Sequence, residues 1–403
     1  MDVKSGYPWW PVRNGLLRDY LPLRHDVECE VAIIGAGITG ALIAAVLVKA
    51  GFDVVVTDRR DVAWGSTSAS TALLQYEIDT ELTELAEMFG MAQAVLAYKA
   101  CRAAVDELGE IAGDLDDTGF ARCESLYFAS SPRHLKRLRA EYAVRRENGF
   151  DVRWLDAAEL RKRAGFSAPA ALLSRPAANV DPYRLTHSLL ARCSAAGMRL
   201  YDRSEITDIK CESTGLTLRT HDGPRVKARC AIVAAGYETG AFLPTKVSRN
   251  RSSYALVSEP LEPFPEALRR LVVWETARPY LYWRSSEDGR LIVGGEDDAI
   301  DNPTKRDLKV SGKCAKLLKR MHRLFPSLPL KTGFAWAGTF AETKDGLPYF
   351  GAHPKCDPRI KFAMAYGGNG ITYSTIGARI LCDGLQGRRH PLAELFGFAR
   401  TRG

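Results

Sequence analysis

No apolar run in this 403-residue chain approaches the ~18 to 20 residues that a helix needs to cross a bilayer. Its first residues, with Asp2, Trp9, Trp10 and Pro11, lack the basic-then-apolar order of a secretory signal. The nine cysteines include no C-x-x-C pair and do not cluster with histidine, so neither zinc nor a disulfide framework is expected. No Ser-His-Asp arrangement, internal repeat or low-complexity tract is legible. These absences point to a cytoplasmic protein with reduced thiols and no metal. Charge is unbalanced by a formal +8, yet the basic residues are scattered. The densest stretch, His134 to Arg139 with Arg145 and Arg146, reads as a solvated helix face, and nucleic acid is not an expected partner. A mild basic excess suits anionic cofactors and small acids equally well. An apolar content of 46% against 26% charged is that of an ordinary globular protein, and the length suggests two interleaved domains.

The informative stretch is Glu30-Val31-Ala32-Ile33-Ile34-Gly35-Ala36-Gly37-Ile38-Thr39-Gly40, followed by the apolar run from Ala41 to Leu47. A β-branched run reads as a buried parallel strand, and the apolar run reads as a helix packed on the sheet. Gly35 permits the tight turn, Gly37 lets the backbone approach a pyrophosphate, and Gly40 lets helix and strand pack closely. Bare amides at the helix start, with the helix dipole behind them, hold phosphate charge. The next strand, Val54 to Thr57, ends in Asp58, close to the ~20-residue offset at which an acid takes the ribose hydroxyls of a dinucleotide. Strand, turn, helix and acid together predict a dinucleotide-binding fold.

The rest of the chain adds context. Residues 1–28 read as an extended arm without periodicity. The stretch Gly65-Ser66-Thr67-Ser68-Ala69-Ser70-Thr71-Ala72-Leu73-Leu74 reads as a loop entering a helix, its small side chains suited to close approach by a phosphate or a ring. Helical spacing runs from Glu81 to about Leu115 with a break at Gly90. Glu124 to Ser130 reads as a strand, Pro132 to Glu147 as a helix, and Asp181-Pro182 as a helix start. Met198 to Lys210 is expected as one strand with Ile206 at its middle. Cys230 to Gly236 is a further buried parallel strand, and residues 250–300 alternate like an antiparallel sheet. Lys305 to Phe325 is helical, and strands return at Phe334 to Phe340 and Ile360 to Ala365. The last of these leads into Gly367-Gly368-Asn369-Gly370 and a helix from Ile371 to Leu385. A second glycine turn heading a helix, without a second acid, suits a flavin ring that gains negative charge on reduction, and so favours FAD over NAD.

These motifs, with Trp336-Ala337-Gly338 and Thr343-Lys344-Asp345-Gly346-Leu347-Pro348-Tyr349-Phe350-Gly351, resemble the D-amino-acid-oxidase-like superfamily of FAD-dependent amine and amino-acid oxidoreductases. Sarcosine oxidase, glycine oxidase and the gamma-glutamylputrescine oxidases belong to that superfamily. The resemblance implies an α/β fold in which a Rossmann-type FAD-binding domain is interleaved with an α+β substrate domain on a mostly antiparallel sheet. The expected ranges are an arm at 1–28, an FAD domain at 29–88, 150–236 and 335–403, and a substrate domain at 89–149 and 237–334. It further implies that Gly35, Gly37, Ile38, Thr39 and Gly40 meet the pyrophosphate, and Asp58 and Arg59 the adenosine. Gly65, Ser66, Thr67, Ser70 and Thr71 would meet phosphate or flavin, Ile206 the adenine, and Ala235 and Gly236 the pyrophosphate. Gly338, Gly346, Gly368, Asn369, Gly370, Ile371 and Thr372 would line ribityl and flavin.

The sequence departs from the family pattern at several places. Gly338 stands where sarcosine oxidases carry the flavin-linking cysteine, and Ala69 where other relatives carry a linking histidine, so FAD is expected to be non-covalent. Phe340 replaces the arginine with which glycine oxidase holds a substrate carboxylate, and Ile292 replaces the lysine that sarcosine oxidase uses for oxygen. Period two puts Tyr280, Tyr282 and Arg284 on one face, either as an aromatic cage with a guanidinium or as an ordinary strand face. Gln75, Tyr76, Tyr254, Trp336 and Tyr373 are further candidates for the substrate, while His187 and His353 read as structural. The expected reaction is oxidation of the C–N bond of a small amine or amino acid, with oxygen or another electron acceptor. No protein side chain is assigned the chemistry, which the flavin carries. Alternatives are a flavin dehydrogenase of a 2-hydroxy acid or D-amino acid feeding a quinone or carrier, and a non-catalytic or RNA-modification-associated flavoprotein.

Overall fold

The computed structural model describes residues 2–402, the side chains of residues 401 and 402 excepted. Val54–Thr57 is fully buried on both faces, as a β-branched strand inside a parallel sheet must be. It pairs in parallel with Val27–Ile34 on one side and Arg199–Tyr201 on the other. Val27–Ile34 pairs in parallel with Arg225–Val233, which pairs in parallel with Ile360–Met364. The antiparallel strand Tyr349–Ala352 closes one edge, and the strands Ile206–Cys211 and Leu216–Thr220 complete the eight-stranded sheet. On one face Val31, Ile33, Val54 and Val56 pack against apolar side chains of the helices Ile38–Lys49, Pro182–Ala195 and Gly370–Leu385. On the other, Ala32, Ile34 and Val55 meet Ile206, Leu216 and Leu218.

The second sheet has ten strands. In spatial order they are Lys4–Gly6, Thr332–Glu342, Arg249–Ser258, Leu291–Asp298, Leu281–Ser285, Leu271–Glu275, Ala121–Phe128, Ala170–Asn179 and Leu73–Gln75. Asp151–Asp156 pairs with Ala170–Asn179 beside that path. Pairing is antiparallel except between Leu271–Glu275 and Ala121–Phe128. The helix Val310–Leu324 covers one face through Cys314, Leu317 and Met321. The expected α/β architecture, a Rossmann-type sheet joined to a mostly antiparallel one, is the architecture found.

Several local expectations are corrected. The N-terminal arm is not merely extended: Lys4–Gly6 pairs with Thr332–Glu342, and Trp9–Asn14 is a short helix with Trp9 and Trp10 buried. The hydroxyl-rich loop contains only the four-residue helix Ser66–Ala69 and runs into the strand Leu73–Gln75. Met198 to Lys210 is two strands, Arg199–Tyr201 and Ile206–Cys211, so Ile206 begins a strand. The segments 151–156, 170–179 and 335–342, given to the nucleotide domain by the sequence reading, lie in strands of the ten-stranded sheet. The helix Leu135–Glu147 is not solvated all round, because Glu141 and Arg145 are fully buried. Glu141 accepts hydrogen bonds from the Leu82 and Thr83 amides at the uncapped start of Leu82–Phe89 and from Arg145 Nε. Arg145 and those amides hold the Glu141 carboxyl below its usual range, although burial alone would raise it.

Candidate functional site

The turn after Val27–Ile34 has the geometry its glycines predict. Gly35 has φ +118°, and a Cβ there would lie 2.3 Å from the Ala234 carbonyl oxygen. A Cβ on Gly40 would lie 1.9 Å from the Gly35 carbonyl oxygen, so helix and strand can approach only with glycine at that place. The helix Ile38–Lys49 starts without a cap from its own N-cap residue, Gly37. Instead Thr67, from the hydroxyl loop, accepts the Ile38 amide at 3.0 Å. Thr67 is therefore a cap for this helix as well as a lining residue. Thr39 Oγ1 lies 2.8 Å from Ser374 Oγ, tying the first turn of this helix to that of Gly370–Leu385.

Both helix starts face one elongated cavity of about 980 Å³ between the two sheets. At one end lie Asp58, Arg59, Arg60, Ile206, Glu205 and Glu238. Asp58 accepts the Ala36 amide at 2.7 Å and the Arg60 amide at 2.8 Å, and burial raises its carboxyl above the usual range. Arg59 pairs with Glu205 and Glu238, and Arg60 with Glu238 at 2.8 Å. These two glutamates were not legible in the sequence, since each comes from a segment remote from Asp58. Gly35, Gly37, Ile38, Thr39, Gly65, Ser66, Ser70, Thr71, Ala235 and Gly236 line the middle.

The loop 65–72 is held by three large side chains acting on three consecutive carbonyls. Trp336 Nε1 donates to Ala69 O at 2.9 Å, Trp10 Nε1 to Ser70 O at 2.6 Å, and Arg284 Nε to Thr71 O at 2.6 Å. Arg284 also donates to Val180 O and Ser285 O, lies over the Trp10 ring, and is buried with its pKa pushed down to about 10. The strand face is therefore shared unequally. Tyr280 and Tyr282 line the cavity, whereas Arg284 is covered by the loop it supports.

At the far end the walls are Trp274, Tyr280, Tyr282, Trp336, Gln75, Gly338 and Phe340, with the carboxylates of Asp79 and Asp297. Asp79 accepts the Gly368 amide at 2.6 Å and the Tyr280 hydroxyl at 3.3 Å, joining the second glycine turn to the aromatic wall. The Tyr282 ring lies where a Cβ on Gly294 would be, so that glycine makes room for it. Burial pushes the Tyr282 phenol up to about 12 and raises that of Tyr280, so both remain neutral donors. Among the described lining residues the arginines are Arg59 and Arg60, both at the Asp58 end.

Gly368, Asn369, Gly370 and Ile371 line the cavity. Other candidates do not. Gly40 and Thr372 are packed behind it, and Gly346 acts through its carbonyl, which accepts from Tyr373 at the start of Gly370–Leu385. Tyr76 is core, stacked on Phe150 and edge-on to Tyr98. Tyr254 is core on the opposite face of its strand, its hydroxyl 3.2 Å from Asp298. Ile292 is fully buried. Among the described residues no group of His, Cys, Asp and Glu side chains is arranged to hold a metal, and no helix is long and apolar enough to cross a membrane.

The family model "DAO: FAD dependent oxidoreductase" matches residues 30–384. A glycine oxidase of Geobacillus kaustophilus (strain HTA426) is 28% identical over 382 residues, covering 93% of this chain and 97% of that protein. The gamma-glutamylputrescine oxidoreductase of Escherichia coli (strain K12) is 26% identical over 380 residues, covering 91% and 85%. Among solved structures, glycine oxidase from Geobacillus kaustophilus superposes with a TM-score of 0.77 at 22% identity, covering 94% of this chain and all of that one. L-proline dehydrogenase from P. horikoshii superposes with a TM-score of 0.79 at 17% identity, covering 94% and 99%.

Proposed function

The chain belongs to the DAO family of FAD-dependent oxidoreductases, and within that family we propose that it oxidises the C–N bond of an alkylamine whose reacting end carries no carboxylate. FAD is the cofactor of this family, and the residues present fit it. Two helix N-termini and the Gly35–Gly37 cradle face the middle of the cavity, an acid stands at one end, and an aromatic chamber at the other. When bound, FAD supplies the two-electron oxidation of the carbon bearing the amine. The chain's own residues bind and orient the substrate. Trp274, Tyr280, Tyr282 and Trp336 line the chamber that would receive an alkylammonium group and shield it from water. Gly338 and Ala69 provide no atom for a covalent flavin link, which supports non-covalent binding.

The observation that carries the reading is the aromatic end of the cavity without an arginine. Phe340 offers no charge, and the donors of Arg284 are taken by main-chain carbonyls. A carboxylate placed there without a partner would cost several kcal/mol. The test is anaerobic mixing of the yellow protein with a panel of primary and secondary alkylamines, glycine, larger amino acids and 2-hydroxy acids. Alkylamines are expected to bleach the flavin and glycine to leave it oxidised. Fastest bleaching by glycine or by a hydroxy acid would overturn the reading.

A further inference from the structure

The strand Leu291–Asp298 contains an irregularity that the amine reading does not by itself require. Ser252 pairs with Asp298 and Tyr254 with Gly295, so Glu296 and Asp297 together oppose the single residue Ser253. This is a β-bulge, and its backbone is unusual, with φ +137° at Gly295 and +56° at Glu296. Its consequence is a change of facing. Leu291 and Val293 pack toward the helix Val310–Leu324, while Ile292 packs toward the opposite core. Strict alternation would send Asp297 to the helix side with Leu291 and Val293. With the extra residue, Glu296 goes to the helix instead, pairing with Arg320 and Lys313, and Asp297 lines the cavity.

From this geometry we propose that Asp297 is the specificity-determining counter-ion of the site, binding the substrate ammonium within the aromatic chamber and accepting its proton. The inference rests on the alkylamine reading above. Asp297 Oδ1 is out of contact with solvent and has no hydrogen-bond partner, an uncommon state for a carboxylate oxygen and one that a cation would relieve. The Tyr280 and Tyr282 rings, 5.5 Å apart, line the same end of the cavity. An ammonium there has ring faces and a carboxylate as partners, the combination that recognises alkylated nitrogen. The step is acid–base only. One N–H bond breaks, the electron pair stays on nitrogen, and the proton forms an O–H bond on Asp297, leaving the neutral amine from which a hydride can depart.

The charged and titratable surroundings set the working range. Burial pushes the Asp297 carboxyl up to about 7, opposed by the Ser253 hydroxyl, reinforced by Asp79 and by Glu342 of the strand Thr332–Glu342, and opposed by Lys313 of the covering helix. Tyr282, on the adjacent strand Leu281–Ser285, and Tyr280, just before it, remain neutral. A base with a pKa near neutrality is well matched to taking a proton from an ammonium desolvated by the chamber.

The experiment uses the FAD-loaded protein and tetramethylammonium, which binds as a cation but cannot titrate or be oxidised. Perturbation of the flavin absorbance is followed from pH 5.5 to 8.5, with sodium chloride at matched ionic strength as control. Wild-type affinity is expected to rise at least tenfold with pH through about 7. Asp297→Asn should retain flavin, bind at least tenfold more weakly at pH 8.5 and show no pH dependence, and Asp297→Glu should recover part of both. A wild-type protein that does not bind tetramethylammonium, or binds it equally at all pH values, overturns the inference even if no variant folds. So does an Asn variant that binds like the wild type. Failure of the alkylamine reading is separately visible as tetramethylammonium binding that depends on Asp297 in a protein whose flavin no amine bleaches.

Discussion

At the scale of single residues, two acids that line the cavity have opposite work to do. Asp58 sits among main-chain donors, with one amide on each oxygen, and faces the cavity. Replacing it with alanine removes charge-assisted hydrogen bonds worth about 1.5 to 3 kcal/mol. Asp58→Ala is therefore expected to weaken FAD binding by roughly ten- to 150-fold, measured by titrating apoprotein with FAD, and to leave the fold in place. Asp297 has one oxygen without a partner, and its presence should cost stability. Its folded-state pKa is raised from 3.8 to about 7, so the folded protein holds a proton that the unfolded chain releases as pH rises between these values. Stability from this group is full below about pH 4, falls across that window and stays low above it. Without an amine present, Asp297→Asn should melt at a higher temperature than the wild type at pH 8, with the gap closing toward pH 4. A gap independent of pH would show that Asp297 is not the titrating group.

At the scale of elements, the bulge and the pinned loop are the two devices that shape the substrate end. A Cβ on Gly295 would lie 2.3 Å from the Tyr280 carbonyl oxygen, at a φ that other residues rarely adopt. Gly295→Ala should force the strand back toward regular alternation, abolishing tetramethylammonium binding while FAD remains bound, as read from the visible spectrum. The pinned loop makes a different prediction for Arg284. Arg284→Met leaves three carbonyls without their donor, at about 1 to 3 kcal/mol for each one left unsatisfied. The melting temperature should fall, and kcat/KM should drop by a similar factor for every substrate turned over. A loss confined to substrates bearing a carboxylate would instead identify Arg284 as their partner. The loop also explains why Thr67 matters beyond lining. Thr67→Val removes the cap of Ile38–Lys49, at a cost of about 1 kcal/mol seen in urea unfolding.

At the scale of the molecule, the cavity proposed for FAD is lined by residues of both sheets, so binding there is linked to the stability of both. A ligand held only by the folded state stabilises it by about 2.7 kcal/mol at a hundred times its Kd. Added FAD should raise the melting temperature of apoprotein in proportion to the logarithm of its concentration. Gly338 and Ala69, both at the cavity, have no side-chain atom able to link to flavin, so acid precipitation should release the yellow colour into the supernatant. Colour retained in the pellet would mean a covalent link through another residue.

The geometry of the Gly35–Gly40 turn was legible from residues alone because everything it needs is local. Gly35, Gly37, Gly40 and the strand ending at Asp58 lie within one strand–helix–strand unit, and only one backbone path satisfies all of them. The same holds for Gly367 to Gly370 at the head of its helix. The substrate end was not legible because its members come from strands far apart in the chain, and facing there depends on packing. Arg284 shares a face with Tyr282, yet the loop 65–72 lies across it and takes its donors. Arg145 looked solvated, but its helix turns it inward to pair with Glu141. Asp297 lies on the wrong parity for the cavity until one extra residue opposite Ser253 turns it inward. Period and spacing set which residues share a face, whereas loops laid over that face and bulges within it decide which of them reach the ligand.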